Sequence, residues 1–179
     1  MSYRVVGEPT TVDDAAELAR ADPYQFQWWA LDLAGARAAD QKKGADRGID
    51  GRIFFHIPDA DARTHQVILS VKAGHVTVSQ VRDLVGVLQR EKADIGVLLS
   101  FESPTQPMRR EAASAGYFET PWGKHPRMQL LTVGELLDGR TIDYPRTAGV
   151  DRTFKQAPRA RKVAEPHPEL FEGDDPDSN

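Results

Sequence analysis

The feature that most constrains this chain is an apolar run at residues 95–101, which includes Ile95, Val97, Leu98, Leu99 and Phe101. A run without alternating polar positions is typical of a strand that is buried on both faces of a sheet. The preceding residues 79–91 place apolar side chains at helical spacing, with charged side chains between them. Another aliphatic run lies before that helix, at residues 65–72. We therefore predict a strand–helix–strand crossover whose two strands are parallel.

Helices and strands also alternate through the rest of the sequence. We predict helices at residues 11–20, 22–34, 104–115 and 133–137, and strands at residues 52–57 and 128–132. The strand at 52–57 is separated from the run at 65–72 by a proline-containing turn, which predicts an antiparallel hairpin. Trp28 and Trp29 lie on the second helix and are interpreted as core packing. The predicted fold class is α/β, with a mixed sheet covered on both faces.

Composition narrows the class of protein without assigning a function. The chain of 179 residues has no cysteine, which excludes disulfides, thiolate nucleophiles and cysteine-ligated zinc, and suits a cytoplasmic location. No window approaches the ~18 apolar residues of a membrane span, and the formal charge of −4 argues against a generic nucleic-acid coat. We predict an N-terminal segment with a short helix at residues 1–21, one domain at residues 22–145, and a flexible tail, basic then acidic, at residues 146–179.

Two charged residues flank the predicted hairpin. A polar, glycine-containing loop at residues 42–52 delivers Asp50 to the start of one strand, and Lys72 ends the other. A carboxylate and an ammonium that meet at strand ends suit phosphodiester chemistry, which generally needs a metal to polarise the phosphate and activate water. Mg²⁺ takes one or two carboxylates, with other oxygen ligands completing its shell. The alternative is that Asp50 caps a turn and that Lys72 is an ordinary exposed lysine.

Five segments together resemble a known enzyme family. They read GADRGIDG at residues 44–51, ILSVKAG at 68–74, DPYQFQWWAL at 22–31, PTQPM at 104–108 and PRMQLLT at 126–132. The first two resemble the catalytic region of Mrr-type restriction endonucleases, a branch of the PD-(D/E)xK nuclease superfamily. The other three resemble the version found at the C-terminus of bacterial site-specific DNA methyltransferases. The resemblance implies a restriction-endonuclease-like three-layer α/β/α core with a central mixed sheet, Mg²⁺ dependence and double-stranded DNA as substrate.

Each candidate residue has an expected role. In the family that the chain resembles, Asp50 would be the metal-binding aspartate and Lys72 the catalytic lysine. The backbone carbonyl of Val71 would supplement Asp50, Asp46 is a further candidate ligand or a loop cap, and Ser70 completes the catalytic set. The expected DNA-binding residues are Lys42, Lys43, Arg47, Arg52 and His75.

The chain departs from the family pattern at two positions. Ser70 stands where the pattern has an acid or glutamine, and Gln27 stands where it often has a glutamate. A hydroxyl and an amide are weaker Mg²⁺ ligands than carboxylates.

From the resemblance and the Asp50–Lys72 pair, we expect a Mg²⁺-dependent DNA endonuclease of a restriction–modification or defence system. The alternative is a weak or inactive nuclease-fold DNA-binding module that accompanies a DNA methyltransferase. A plain protein-interaction domain leaves the basic loop unexplained. No membrane association is expected, and a homodimer is left open.

Overall fold

The computed structural model describes residues 7–39, 48–57 and 62–146. The elements run in the order α1 (Val12–Ala21), α2 (Pro23–Leu33), β1 (Arg37–Ala38), β2 (Gly51–Phe55), β3 (His65–Lys72), α3 (Val78–Glu91), β4 (Ile95–Ser100), α4 (Gln106–Ser114), β5 (Tyr117–Thr120), β6 (Gly123–Pro126), β7 (Met128–Thr132) and α5 (Val133–Leu137). Several sequence predictions lie outside the described residues: Lys42, Lys43, Asp46, Arg47, the turn at 58–61 and the tail from residue 147 onward.

The main sheet is mixed and has the strand order β1-β2-β3-β4-β7. β2 pairs antiparallel with β3, with Gly51 opposite Leu69, so the predicted hairpin is confirmed. β3 and β4 pair in parallel, with Lys72 beside Ser100, and β7 continues the parallel part on the far side of β4. The crossover predicted from the two apolar runs is therefore confirmed as well.

Alternate residues of the central strands enter two separate cores. Val67, Leu69 and Leu99 pack on one face with α1, α2 and α5, while Ile68 and Leu98 pack on the other with α3 and α4. A strand with both faces covered needs apolar side chains at successive positions, which explains the unbroken run in β4. The fold is the predicted α/β/α arrangement of three layers around a mixed sheet.

Capping side chains fix the starts of the first two helices. The Thr11 hydroxyl accepts a hydrogen bond from the Asp14 amide at 3.1 Å. The Asp22 carboxylate accepts from the Tyr24 and Gln25 amides at 3.0 and 3.1 Å, and so starts α2 immediately after α1 ends. This second cap matters for the site, because it sets which residues of α2 face the sheet.

Two features of the fold, the strand β1 and the β5–β6 hairpin, were not predicted from the sequence. β1 is only two residues long, and the β5–β6 hairpin carries a single aromatic side chain, Phe118, that packs against the core. Of the two tryptophans interpreted as core packing, Trp29 packs against the core whereas Trp28 is exposed. Within the described ranges, no helix is both long enough and apolar enough to span a bilayer.

Candidate functional site

The β2–β3 hairpin brings Asp50 and Lys72 to one end of the sheet. Asp50 directly precedes β2, and its backbone N–H donates to the Leu69 carbonyl at 2.8 Å. Lys72 is the last residue of β3. Both side chains are half-buried. The predicted neighbourhood of the two residues is therefore present in the fold.

The Asp50 carboxylate accepts hydrogen bonds on both of its oxygens. Oδ1 accepts from the Gln27 side-chain amide at 2.9 Å. Oδ2 accepts from the Val71 backbone N–H at 2.6 Å and from the Ser70 hydroxyl at 3.3 Å. The two residues that depart from the nuclease pattern, Gln27 and Ser70, are thus the side chains that contact Asp50.

A glycine at the start of β2 allows α2 to approach the sheet closely enough for the Gln27 contact. A Cβ added to Gly51 would lie 2.4 Å from Leu31 Cδ2 and 3.1 Å from the Arg37 carbonyl oxygen. Leu31 is itself fully buried on α2. The absence of a side chain at position 51 therefore lets α2 lie directly over β2, one helical turn from where Gln27 meets Asp50.

Lys72 lies at the same end of the sheet but is not paired with Asp50. In the described part of the chain, the Lys72 ammonium has no ion pair or hydrogen bond. Ser100, which lies beside Lys72 on β4, donates its hydroxyl to the Glu102 carbonyl at 3.0 Å and not to Lys72. Lys72 is therefore a cation whose charge is available to an anion that reaches this end of the sheet.

The side chain of Arg52, a predicted DNA-binding residue, is hydrogen-bonded to other side chains of the protein. Its guanidinium donates to Gln66 Oε1 at 2.6 Å and to Glu91 Oε2 at 2.9 Å. The hydrogen bond from Arg52 is the largest cause that lowers the pKa of Glu91 below its ordinary value. Arg52 thus joins β2, β3 and the end of α3, and its role in DNA binding stays a prediction.

His75 lies in the loop after β3, with 74% of its side chain exposed. Its Nδ1 is 2.8 Å from Glu102 Oε2, in the loop after β4. Glu102 was not among the predicted site residues; the available signal was its position directly after a buried strand run, at the edge where parallel strands end. Lys42, Lys43, Asp46 and Arg47 lie outside the described residues, so the site is described without them.

The residues that the structure describes around Asp50 do not fit a magnesium ion. Mg²⁺ requires near-octahedral oxygen coordination, usually with one or two carboxylates. Here Asp50 is met by an amide, a hydroxyl and a backbone N–H, all of which donate to the oxygens that a metal would use. The described residues also contain no group of three or more His, Cys, Asp or Glu side chains that could hold a metal. The carbonyl of Val71 adds a neutral oxygen only.

A family model supports the restriction-endonuclease-like identification. No curated protein matches the chain. A solved structure described as MspJI Restriction Endonuclease in Complex with 27-mer Oligonucleotide is similar, with 19% sequence identity and a TM-score of 0.49. That match covers 76% of this chain and 32% of the MspJI chain, so this chain spans about a third of its length. The Mrr-type branch and the methyltransferase setting are not confirmed. A family model described as NACHT-associated inactive Restriction Endonuclease 1 matches residues 23–138, well over half of the sequence, and the chain therefore belongs to that family.

Proposed function

We propose that this chain binds double-stranded DNA with a nuclease-derived site and does not cleave it. The observation that carries this proposal is the state of Asp50, whose two carboxylate oxygens accept hydrogen bonds from Gln27, Ser70 and Val71. A nuclease of this kind would use the same oxygens to hold a metal. The word "inactive" in the family description agrees with this proposal.

Loss of cleavage follows from the chemistry of phosphodiester hydrolysis. At neutral pH, a metal ion stabilises the charge that develops on the phosphate and lowers the pKa of the attacking water. A lysine alone supplies a positive charge but does not generate hydroxide. With one carboxylate engaged and neutral groups at positions 27 and 70, the site keeps its cation and lacks the means to activate water.

DNA binding follows from the cation at this end of the sheet. The Asp50 carboxylate accepts hydrogen bonds from three neutral donors, while the Lys72 ammonium has no acidic partner in the described part of the chain. A phosphate group fits such a cation, and phosphate contacts provide most of the affinity of non-specific DNA binding.

The family description also bears on the partner. It names an association with NACHT, and we propose that the chain works next to a NACHT-containing protein or region in a defence system. The association with a DNA methyltransferase and the cytoplasmic location stay predictions from the sequence, as does the homodimer.

Fluorescence anisotropy with a labelled duplex tests the proposed function. Wild-type protein should bind in EDTA as well as in Mg²⁺, with an affinity that falls as salt rises. Lys72→Ala should weaken binding to all sequences and reduce the slope of log K against log salt by about 1.

Lys124→Ala is the matched control, because it removes one lysine charge from the β5–β6 hairpin, where Lys124 pairs with Glu119. Phe118 of this hairpin packs against Phe55 and His65, at the end of the β2–β3 pair opposite to Lys72. Wild-type protein that fails to bind, or equal salt slopes for Lys72→Ala and Lys124→Ala, would contradict the proposal.

A Mg²⁺-dependent endonuclease is the second candidate. It is favoured by one observation, the meeting of Asp50 and Lys72 at the same end of the β2–β3 hairpin. It requires that a metal and a bound phosphate displace the Gln27, Ser70 and Val71 donors from Asp50. A cleavage assay separates the two candidates.

A further inference from the structure

Asp50 makes more hydrogen bonds within the protein than a metal-binding aspartate needs. Asp50 is hydrogen-bonded through all four of its polar groups. Its backbone N–H donates to the Leu69 carbonyl at 2.8 Å, and its carbonyl accepts from the Ala39 amide at 2.9 Å. Its two carboxylate oxygens accept from α2 and from β3. A single residue therefore joins α2, the segment after β1 and the end of β3.

The geometry of the hairpin explains why β3 needs this acceptor. The last β2 pair at this end is Gly51 with Leu69, so β3 extends three residues past the point where its antiparallel partner begins. The Val71 N–H donates to the Asp50 carboxylate and therefore points toward the β2 side of β3. A backbone N–H in this half-buried position needs an acceptor. The carboxylate takes the place of the strand carbonyl that β2 does not supply.

We infer that the Asp50 carboxylate is a structural acceptor that prolongs the β2–β3 ladder and fastens α2 to it, in place of the metal-binding role that its position implies. The departures at positions 27 and 70 fit this role, because both put a hydrogen-bond donor beside Asp50. Two carboxylates at those positions would repel Asp50 in the absence of a metal. In this chain the site is satisfied by the protein's own groups, and divalent ions have no differential affinity for the folded state.

This role makes a prediction that a metal ligand does not share. Carboxylates that serve a metal are commonly neutral or unfavourable for the stability of the metal-free protein. A structural acceptor instead stabilises the metal-free protein, since its removal leaves a half-buried N–H without a partner. Asp50→Ala should lower the folding equilibrium constant on the order of a hundredfold. Asp50→Asn should cost much less, because the amide oxygen still accepts from Val71 and Gln27 can turn its own amide to pair with the new donor.

Amide hydrogen exchange and urea unfolding test the inference together, in the full chain with and without millimolar Mg²⁺. The Val71 amide should be protected in wild-type protein and in Asp50→Asn, and should exchange faster in Asp50→Ala. Asp83→Ala is the control, because Asp83 is an exposed aspartate on α3. It should change neither the exchange of Val71 nor the unfolding midpoint, and Mg²⁺ should leave the midpoint of the wild type unchanged.

The opposite pattern would overturn the inference: Asp50→Ala as stable as wild type, with Val71 still protected, and a midpoint that Mg²⁺ raises in wild type alone. If Asp50→Ala does not fold, Gln27→Ala and Asp50→Asn carry the test. Gln27→Ala should destabilise the protein, and Asp50→Asn should keep the Val71 amide protected; a Gln27→Ala protein as stable as wild type, or a Val71 amide that loses its protection in Asp50→Asn, would contradict the inference. These readouts do not depend on DNA, so a failure of the proposed DNA binding is distinguishable from a failure here.

Discussion

Gly51→Ala tests whether the packing of α2 on β2 sets the geometry of the site. The added Cβ would lie 2.4 Å from Leu31 Cδ2, well inside van der Waals contact, and 3.3 Å from Cδ1, slightly inside it. Leu31 is 1% exposed, so its side chain is packed by other residues, and the added Cβ would also lie 3.1 Å from the Arg37 carbonyl oxygen. Either Leu31 adopts a strained rotamer or α2 moves away from the sheet.

Overpacking of this kind typically costs 1–3 kcal/mol, so we expect a loss of about 2 kcal/mol in the free energy of unfolding. For a chain of this size that corresponds to a fall of roughly 4–8 °C in Tm. If α2 moves, the hydrogen bond from Gln27 to Asp50 is lost as well. Urea unfolding gives the free energy, and NMR chemical shifts of the Gln27 side-chain amide report the contact.

Two further variants decide whether Leu31 is the cause. Gly74→Ala is the control, because nothing lies within 4 Å of a Cβ at that position. Leu31→Ala should cost about 2–5 kcal/mol alone, and Gly51→Ala should add little or nothing in that background, since the clashing methyl groups are gone. A double variant destabilised by the full sum of the two single costs would refute this explanation, as would a Gly51→Ala protein as stable as wild type.

Two other substitutions are predicted to change how stability depends on pH, and urea unfolding over a pH series measures both. Gln27→Glu places a second carboxyl beside Asp50, and the repulsion raises the pKa of one of the pair in the folded state. The stability of this variant should match wild type in acid and fall as pH rises through that raised pKa. A difference from wild type that does not change with pH would count against the contact. Arg52→Met removes the main donor that lowers the pKa of Glu91, to which Arg90 also donates. A lowered carboxyl pKa contributes stability above the unfolded value that disappears in acid, so this variant should lose about 1–3 kcal/mol near neutral pH. The loss should become smaller as pH falls through the Glu91 pKa, where the missing bond to Gln66 still contributes; an equal loss at all pH values would contradict this expectation.

The central part of the fold was predictable because its residues are constrained by burial alone. The apolar runs of β3 and β4 and the helical spacing of α3 gave the parallel crossover, and the turn before β3 gave the hairpin. The β5–β6 hairpin was not predicted, because it lies outside the main sheet and offers no alternating apolar pattern: Tyr117 and Trp122 are exposed, and Phe118 alone packs against the core.

The sequence predicted which residues lie at the strand ends that form the site, but not the contacts of their side chains. Placing Asp50 near Lys72 needed only the hairpin. The contact of Gln27 with Asp50 depends on how closely α2 approaches the sheet, which the fit of Leu31 against Gly51 determines. The pairing of Arg52 with Glu91 joins residues 39 positions apart in sequence. Such contacts are properties of tertiary packing, and local patterns do not contain them.

A plasmid cleavage assay decides whether the Asp50 site binds DNA without hydrolysing it. Supercoiled plasmid is incubated with wild-type protein and Mg²⁺ or Mn²⁺, at a protein concentration where anisotropy shows the DNA to be bound, and nicked and linear products are followed over time. We expect the bound DNA to stay supercoiled with either metal. Nicking that requires the metal, stops with EDTA and disappears in both Asp50→Asn and Lys72→Ala would contradict it, and would show that the Asp50 site is a working nuclease centre.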